Sequence, residues 1–160
     1  MKRFGVIALA VLLIAGMLSF AGCKAAKSAT EATWSITIQD ASGKSSEFTN
    51  EDAGKLDMVD ITAVKEKKDG SKTEENWSGV LLKDVLESAG ISGYSMVTVE
   101  ASDGYGKDID AATADDPGTI LGFLKDGEEV SVDDGLVQLV VSTMPGSHWI
   151  KNVAVIKVSE

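Results

Sequence analysis

The run Met144-Pro145-Gly146-Ser147-His148-Trp149-Ile150-Lys151-Asn152 gathers an imidazole, an indole, an amine and an amide around a Pro-Gly turn. Side chains of these types suit a small ligand: Trp149 stacks a planar group, His148 and Lys151 meet an anionic one, and Asn152 adds an amide. The same run also reads structurally, with Trp149 packed in the core, His148 capping the turn and Lys151 solvated. The sequence leaves both readings open. Trp77 and the Asp103-Gly104-Tyr105 turn pose the same choice between a ligand contact and ordinary packing. His148 is the only histidine of the chain, and one imidazole does not build a metal site. Asp103, Asp108 and Asp110 lack the alternating oxygen ligands and closing glutamate of an EF-hand loop, so no metal ligand is assigned. Ser147 beside His148 has the residue types of an activated nucleophile. Neighbours on a turn rarely point at each other, however, and no nucleophile elbow surrounds them, so no catalytic residue is assigned.

Cys23 is the only cysteine, which leaves no internal disulfide available. It follows Lys2 and Arg3, an apolar run from Phe4 to Leu18, and the small residues Ala21 and Gly22. That order is export-signal architecture over residues 1–22, with an uncleaved anchor helix as the competing reading. Leu18-Ser19-Phe20-Ala21-Gly22-Cys23 resembles the bacterial lipoprotein cleavage motif, in which the cysteine is acylated and becomes the new N-terminus; Phe20 stands where leucine is usual. The resemblance implies lipidation at Cys23 and a lipid-anchored protein on the extracytoplasmic face of the cell membrane. Residues 23–33, rich in Ala, Ser, Thr and Lys, read as a flexible tether.

Residues 34–160 are then one domain, since 160 residues less an export segment leave room for one core. The formal charge is −10, and removing residues 1–22 takes away positive charge only. No basic patch remains to neutralise phosphates, which excludes nucleic acid as a partner.

The elements that must position these side chains are mostly strands. Trp34 to Gln39 alternates apolar and polar residues, and Asp40 to Lys44 supplies a turn, predicting a hairpin. Thr49, with Asp52 three positions on, predicts a short helix start. Val59 to Val64 predicts a strand, and Lys67 to Lys72 a charged turn. Gly79 to Ala89 carries Val80, Leu82, Val85 and Leu86 at helical spacings, with Gly90 placed for a left-handed cap. Strands follow at Met96 to Ala101, Thr119 to Leu124, Leu136 to Val141 and Asn152 to Val158, with a hairpin turn at Lys125 to Glu128. Asp110 to Asp116 reads as a solvated loop or short helix. The fold class is α+β, mixed β-sheets with a few short helices.

Trp77-Ser78-Gly79-Val80-Leu81-Leu82-Lys83-Asp84-Val85-Leu86 and Ala89-Gly90-Ile91 resemble the tryptophan-glycine segment and following helix of the oxidoreductase molybdopterin-binding domain, the sulfite-oxidase family. Val97 to Ala101 with Asp103-Gly104-Tyr105 is similar to its strand and aspartate-glycine-tyrosine turn. Leu139-Val140-Val141, Pro145-Gly146 and Trp149 to Val153 are similar to its closing segment. The resemblance implies a mixed α+β fold and a molybdenum held by a cysteine thiolate upstream of the tryptophan-glycine segment. The matching stretch here, Ile61 to Asn76, contains no cysteine, and Thr62 and Ser71 offer only harder hydroxyl donors. The family also supplies arginine and histidine to the cofactor, whereas the only arginine here is Arg3.

The expectation is a domain that keeps the fold without the cofactor. It would serve as a binding or interaction module for a small anionic or planar ligand, or for an envelope protein. No cofactor is expected, and molybdopterin is implied by the resemblance only. The alternative is a molybdopterin-dependent oxidoreductase or a subunit of a redox complex.

Overall fold

A computed structural model describes residues 33–66 and 69–160. The signal segment, Cys23 and the tether up to residue 32 lie outside the described residues, as do Lys67 and Lys68 of the charged turn. Among the described residues, eleven strands form two sheets with three short α-helices. The first strands, β1 (Ser35–Gln39) and β2 (Ser45–Thr49), make the predicted hairpin, in which the Asp40 carboxylate accepts from the backbone N–H of Ser42 and Lys44, each at 2.9 Å. Helix α1 (Asn50–Ala53) opens with a full capping box between Thr49 and Asp52. Strands β3 (Met58–Glu66) and β4 (Lys72–Leu81) follow, joined through a turn with Gly70 at φ +80°.

Helix α2 spans Leu82–Ser88, not Gly79 to Ala89 as its spacing suggests. Gly79, Val80 and Leu81 belong to β4 and pair with β7 (Thr119–Lys125). The reason is steric: a Cβ on Gly79 would lie 2.0 Å from the Leu121 carbonyl oxygen. Glycine lets the two backbones close at a bulge, and the apolar spacing that looked helical belongs partly to a strand. Seven residues do not hold a helix unaided, so α2 depends on burying Leu82, Val85 and Leu86, each fully enclosed. Such burial contributes about 1.5–3 kcal/mol per side chain. Gly90 takes the left-handed position at φ +80°.

The remaining elements are β5 (Met96–Ala101), β6 (Gly106–Asp110), α3 (Ala111–Ala114), β8 (Glu128–Glu129), β9 (Gln138–Val141), β10 (Ile150–Lys151) and β11 (Val153–Ser159). One sheet runs β2-β1-β11-β5-β6, with β1 and β11 parallel and its other pairs antiparallel. The second runs β10-β9-β7-β4-β3, antiparallel throughout, with β8 beside β7. This is the mixed-sheet α+β architecture expected. Leu136 and Asn152 stand outside the strands predicted to begin at them, because both take left-handed backbone, φ +59° and +53°. Asn152 is where the chain leaves β10 in one sheet and enters β11 in the other. Its carbonyl accepts from the Ser102 N–H at 3.0 Å, its side-chain amide donates to the Ser102 hydroxyl, and Gly135 sits against it without room for a Cβ. One buried cluster, drawing on Ile36, Val99 and Ile156 of the first sheet and Val80, Leu121 and Leu139 of the second, forms the core.

Candidate functional site

Trp77 anchors the site. It lies on β4 with its ring against Gly122 of β7, where an added Cβ would meet ring atom Cε3 at 2.8 Å. A bare glycine opposite the indole gives the ring a seat on the neighbouring strand. Trp149 stands edge-on to it, centroids 6.3 Å apart at 89°, the favourable T-shaped arrangement. Both rings are buried, and the Trp149 indole N–H donates to the Val141 carbonyl at 2.9 Å. The Trp77 N–H donates to Glu75 Oε2 at 3.2 Å, while Lys125 Nζ donates to Glu75 Oε1 at 2.8 Å and lies 5.6 Å from the Trp77 ring centre. A carboxylate only 6 % exposed is costly to bury, and Glu75 persists because each oxygen has a donor.

Beside Trp77 opens a cleft of about 250 Å³ on the second sheet. Lys65 enters it from β3, Lys125 from β7, Gln138 from β9 and Lys151 from β10. Glu128, Glu129 and Asp134 complete its charged lining. Lys151 Nζ is paired with Asp134 at 2.9 Å, and the Ser131 hydroxyl also donates to Asp134. These contacts hold the Asp134 carboxyl below its usual range, Lys151 most of all. Lys65 has no carboxylate partner among the described residues; its amine lies 5.5 Å from the Trp149 ring centre. Burial lowers the Lys65 pKa; Glu75 pulls it up, while Lys151 and Lys125 press it down further. Gln138 is 2 % exposed, and its Nε2 finds no hydrogen-bond partner among the described residues.

The candidates from the sequence therefore separate. Trp77 and Lys151 line the cleft, and Trp149 backs it through Trp77 and Lys65. Asp103 and Tyr105 stand on the β5–β6 turn of the other sheet. There Asp103 accepts from the Tyr105 N–H at 2.9 Å, and the exposed Tyr105 ring lies 5.6 Å from the Lys107 amine. Asn152 is at the joint between sheets. His148 sits in a single 3-10 turn, Gly146–His148, its Nδ1 3.4 Å from the Ser147 hydroxyl, so these neighbours do face each other. Lys65, Glu75, Lys125 and Gln138 were not singled out from the sequence. Gln138 had a signal, a lone amide heading the apolar run Gln138-Leu139-Val140-Val141. Lys65 had a weaker one, its place two residues beyond the buried Ala63 on an alternating strand.

The family model described as oxidoreductase molybdopterin binding domain matches residues 23–160. Among solved structures, the sulfane dehydrogenase SoxCD from Paracoccus pantotrophus superposes with a TM-score of 0.71 at 20% identity. The match takes in 81% of this chain, which spans 39% of that one. A comparison with curated proteins returned no match.

Proposed function

Because the chain belongs to the oxidoreductase molybdopterin-binding domain family, we propose that it is a version of that domain which has given up the cofactor and uses its cleft as a binding module, held by a lipid on the extracytoplasmic face of a membrane. The carrying observation is the donor set of the cleft. Among the described residues, lysine amines, carboxylates, one amide and one hydroxyl face it, and no thiolate, imidazole or guanidinium does. Molybdenum in this family is held by a thiolate upstream of the tryptophan-glycine segment, and the only cysteine of this chain is Cys23, the first residue of the family match and the position the lipidation motif claims. Of the three lysines that line the cleft, Lys125 is paired with Glu75 and Lys151 with Asp134, and Glu128 and Glu129 add negative charge, so a single ammonium is left where a doubly charged pterin phosphate would need several donors. At about 250 Å³ the cleft falls short of the ~300–1,000 Å³ usual for cofactor-sized ligands. The residues present do not fit the cofactor, and no step is assigned to it.

A loading experiment tests this reading. The full chain, mixed with molybdenum cofactor released from another molybdenum enzyme and passed through gel filtration, should retain no pterin; stoichiometric retention overturns the reading. Envelope fractionation tests the anchor: the chain should float with membranes, and Cys23→Ser should release it or leave an uncleaved precursor. The second reading, a cofactor-dependent oxidoreductase or redox-complex subunit, is favoured by the family match over residues 23–160.

A further inference from the structure

Two donors in the cleft are left over when its ion pairs are drawn. Lys125 is paired with Glu75 and Lys151 with Asp134, but the Lys65 amine has no carboxylate partner and the Gln138 Nε2 has no partner of any kind among the described residues. An amide N–H buried to 2 % exposure without an acceptor costs stability, about 1–3 kcal/mol. Thr119 Oγ1 is likewise buried without a partner among the described residues, and of the two residues only Gln138 lines the cleft, which points its spare amide to a ligand. The tryptophan-lined floor beneath offers an apolar flank in Trp77 and Val130.

We infer that the cleft is a receptor site for a small organic monocarboxylate, one oxygen meeting the Lys65 ammonium and the other accepting from the Gln138 amide. The inference rests on the cofactor-free reading above. A single carboxylate is favoured over phosphate or sulfate by charge. Lys125 is taken by Glu75 and Lys151 by Asp134, so Lys65 is the one lining ammonium without a carboxylate partner among the described residues, and Glu128 and Glu129 in the same lining repel a dianion. A cleft of about 250 Å³ admits only a short hydrocarbon part, which Trp77 and Val130 border. Lys65 is held for this task by Gly146, where a Cβ would lie 2.7 Å from the lysine Cγ, and by the Trp149 ring.

The test is a titration of the isotope-labelled full chain in detergent with acetate, propionate, inorganic phosphate and sulfate at constant ionic strength, following the side-chain amide resonances of Gln138. Propionate and acetate should shift them saturably, phosphate and sulfate should not, and Lys65→Met should weaken binding about tenfold, the loss of one charge-assisted hydrogen bond. Gln138→Met identifies the resonance by its disappearance and should leave the chain folded, since it removes an unpartnered group; followed instead through the indole N–H of Trp77, which lines the same cleft, the variant should no longer respond to propionate. A saturable response to phosphate or sulfate alone, no response to any anion, or an unchanged affinity in Lys65→Met overturns the inference. Pterin is assayed in the same preparation: its presence sinks the cofactor-free reading, and its absence with silent carboxylates sinks only the monocarboxylate.

Discussion

Gln138 sits in β9 beside Leu139, Val140 and Val141, all fully buried, and only its side chain carries an amide into that surrounding. If its N–H is kept for a ligand, removing it should help the empty protein. Gln138→Met should raise stability by about 1 kcal/mol, or roughly 3–6 °C in Tm by calorimetry, while losing carboxylate binding. A lowered Tm would show that the amide has a structural partner. Lys65 gives a prediction in pH. Burial lowers its pKa in the folded chain below the ordinary 10.5, with Glu75 opposing and Lys151 and Lys125 reinforcing, so between the two values the unfolded chain binds more protons than the folded one. Stability therefore rises with pH across that alkaline window, as the penalty on the charged amine is relieved. Urea melts across it should show this upward contribution in the wild type and not in Lys65→Met. These two residues were the least legible in the sequence, because each acts through what surrounds it: an amide is ordinary until every acceptor around it is already taken. Trp77 and Lys151 were legible by type, and the cleft brings them together.

At the scale of elements, local signals read well where chemistry is local. Alternation in Ser35–Gln39, the Thr49–Asp52 capping box and the left-handed Gly90 all appear where their residue types place them. The start of α2 did not, since Val80, Leu82, Val85 and Leu86 satisfy a helical spacing that ignores β7. Only the close approach of Leu121 to Gly79 decides the matter, and that contact is remote in sequence. Gly79→Ala should accordingly destabilise the domain by about 2–3 kcal/mol in urea unfolding, because the clash is with backbone that cannot swing aside. A helix at this position would predict a gain instead, as alanine is the better helix former. The joint at Asn152 was equally hidden: its left-handed backbone and its bond to Ser102 tie β10, β11 and the β5–β6 turn together, a role that spacing along the chain does not announce.

For the whole molecule, the family fold is present, two sheets around one core, and the cleft on the second sheet is lined by lysines and carboxylates. Fold and chemistry separate readily, so the proposed cofactor-free cleft stands or falls on the site and not on the fold. The most direct measurement is the molybdenum and pterin content of the full chain purified from its own cell envelope, by elemental mass spectrometry alongside fluorescence of the oxidised pterin, in cells that load another molybdenum enzyme normally. The account predicts neither molybdenum nor pterin above background; one of each per chain would contradict it.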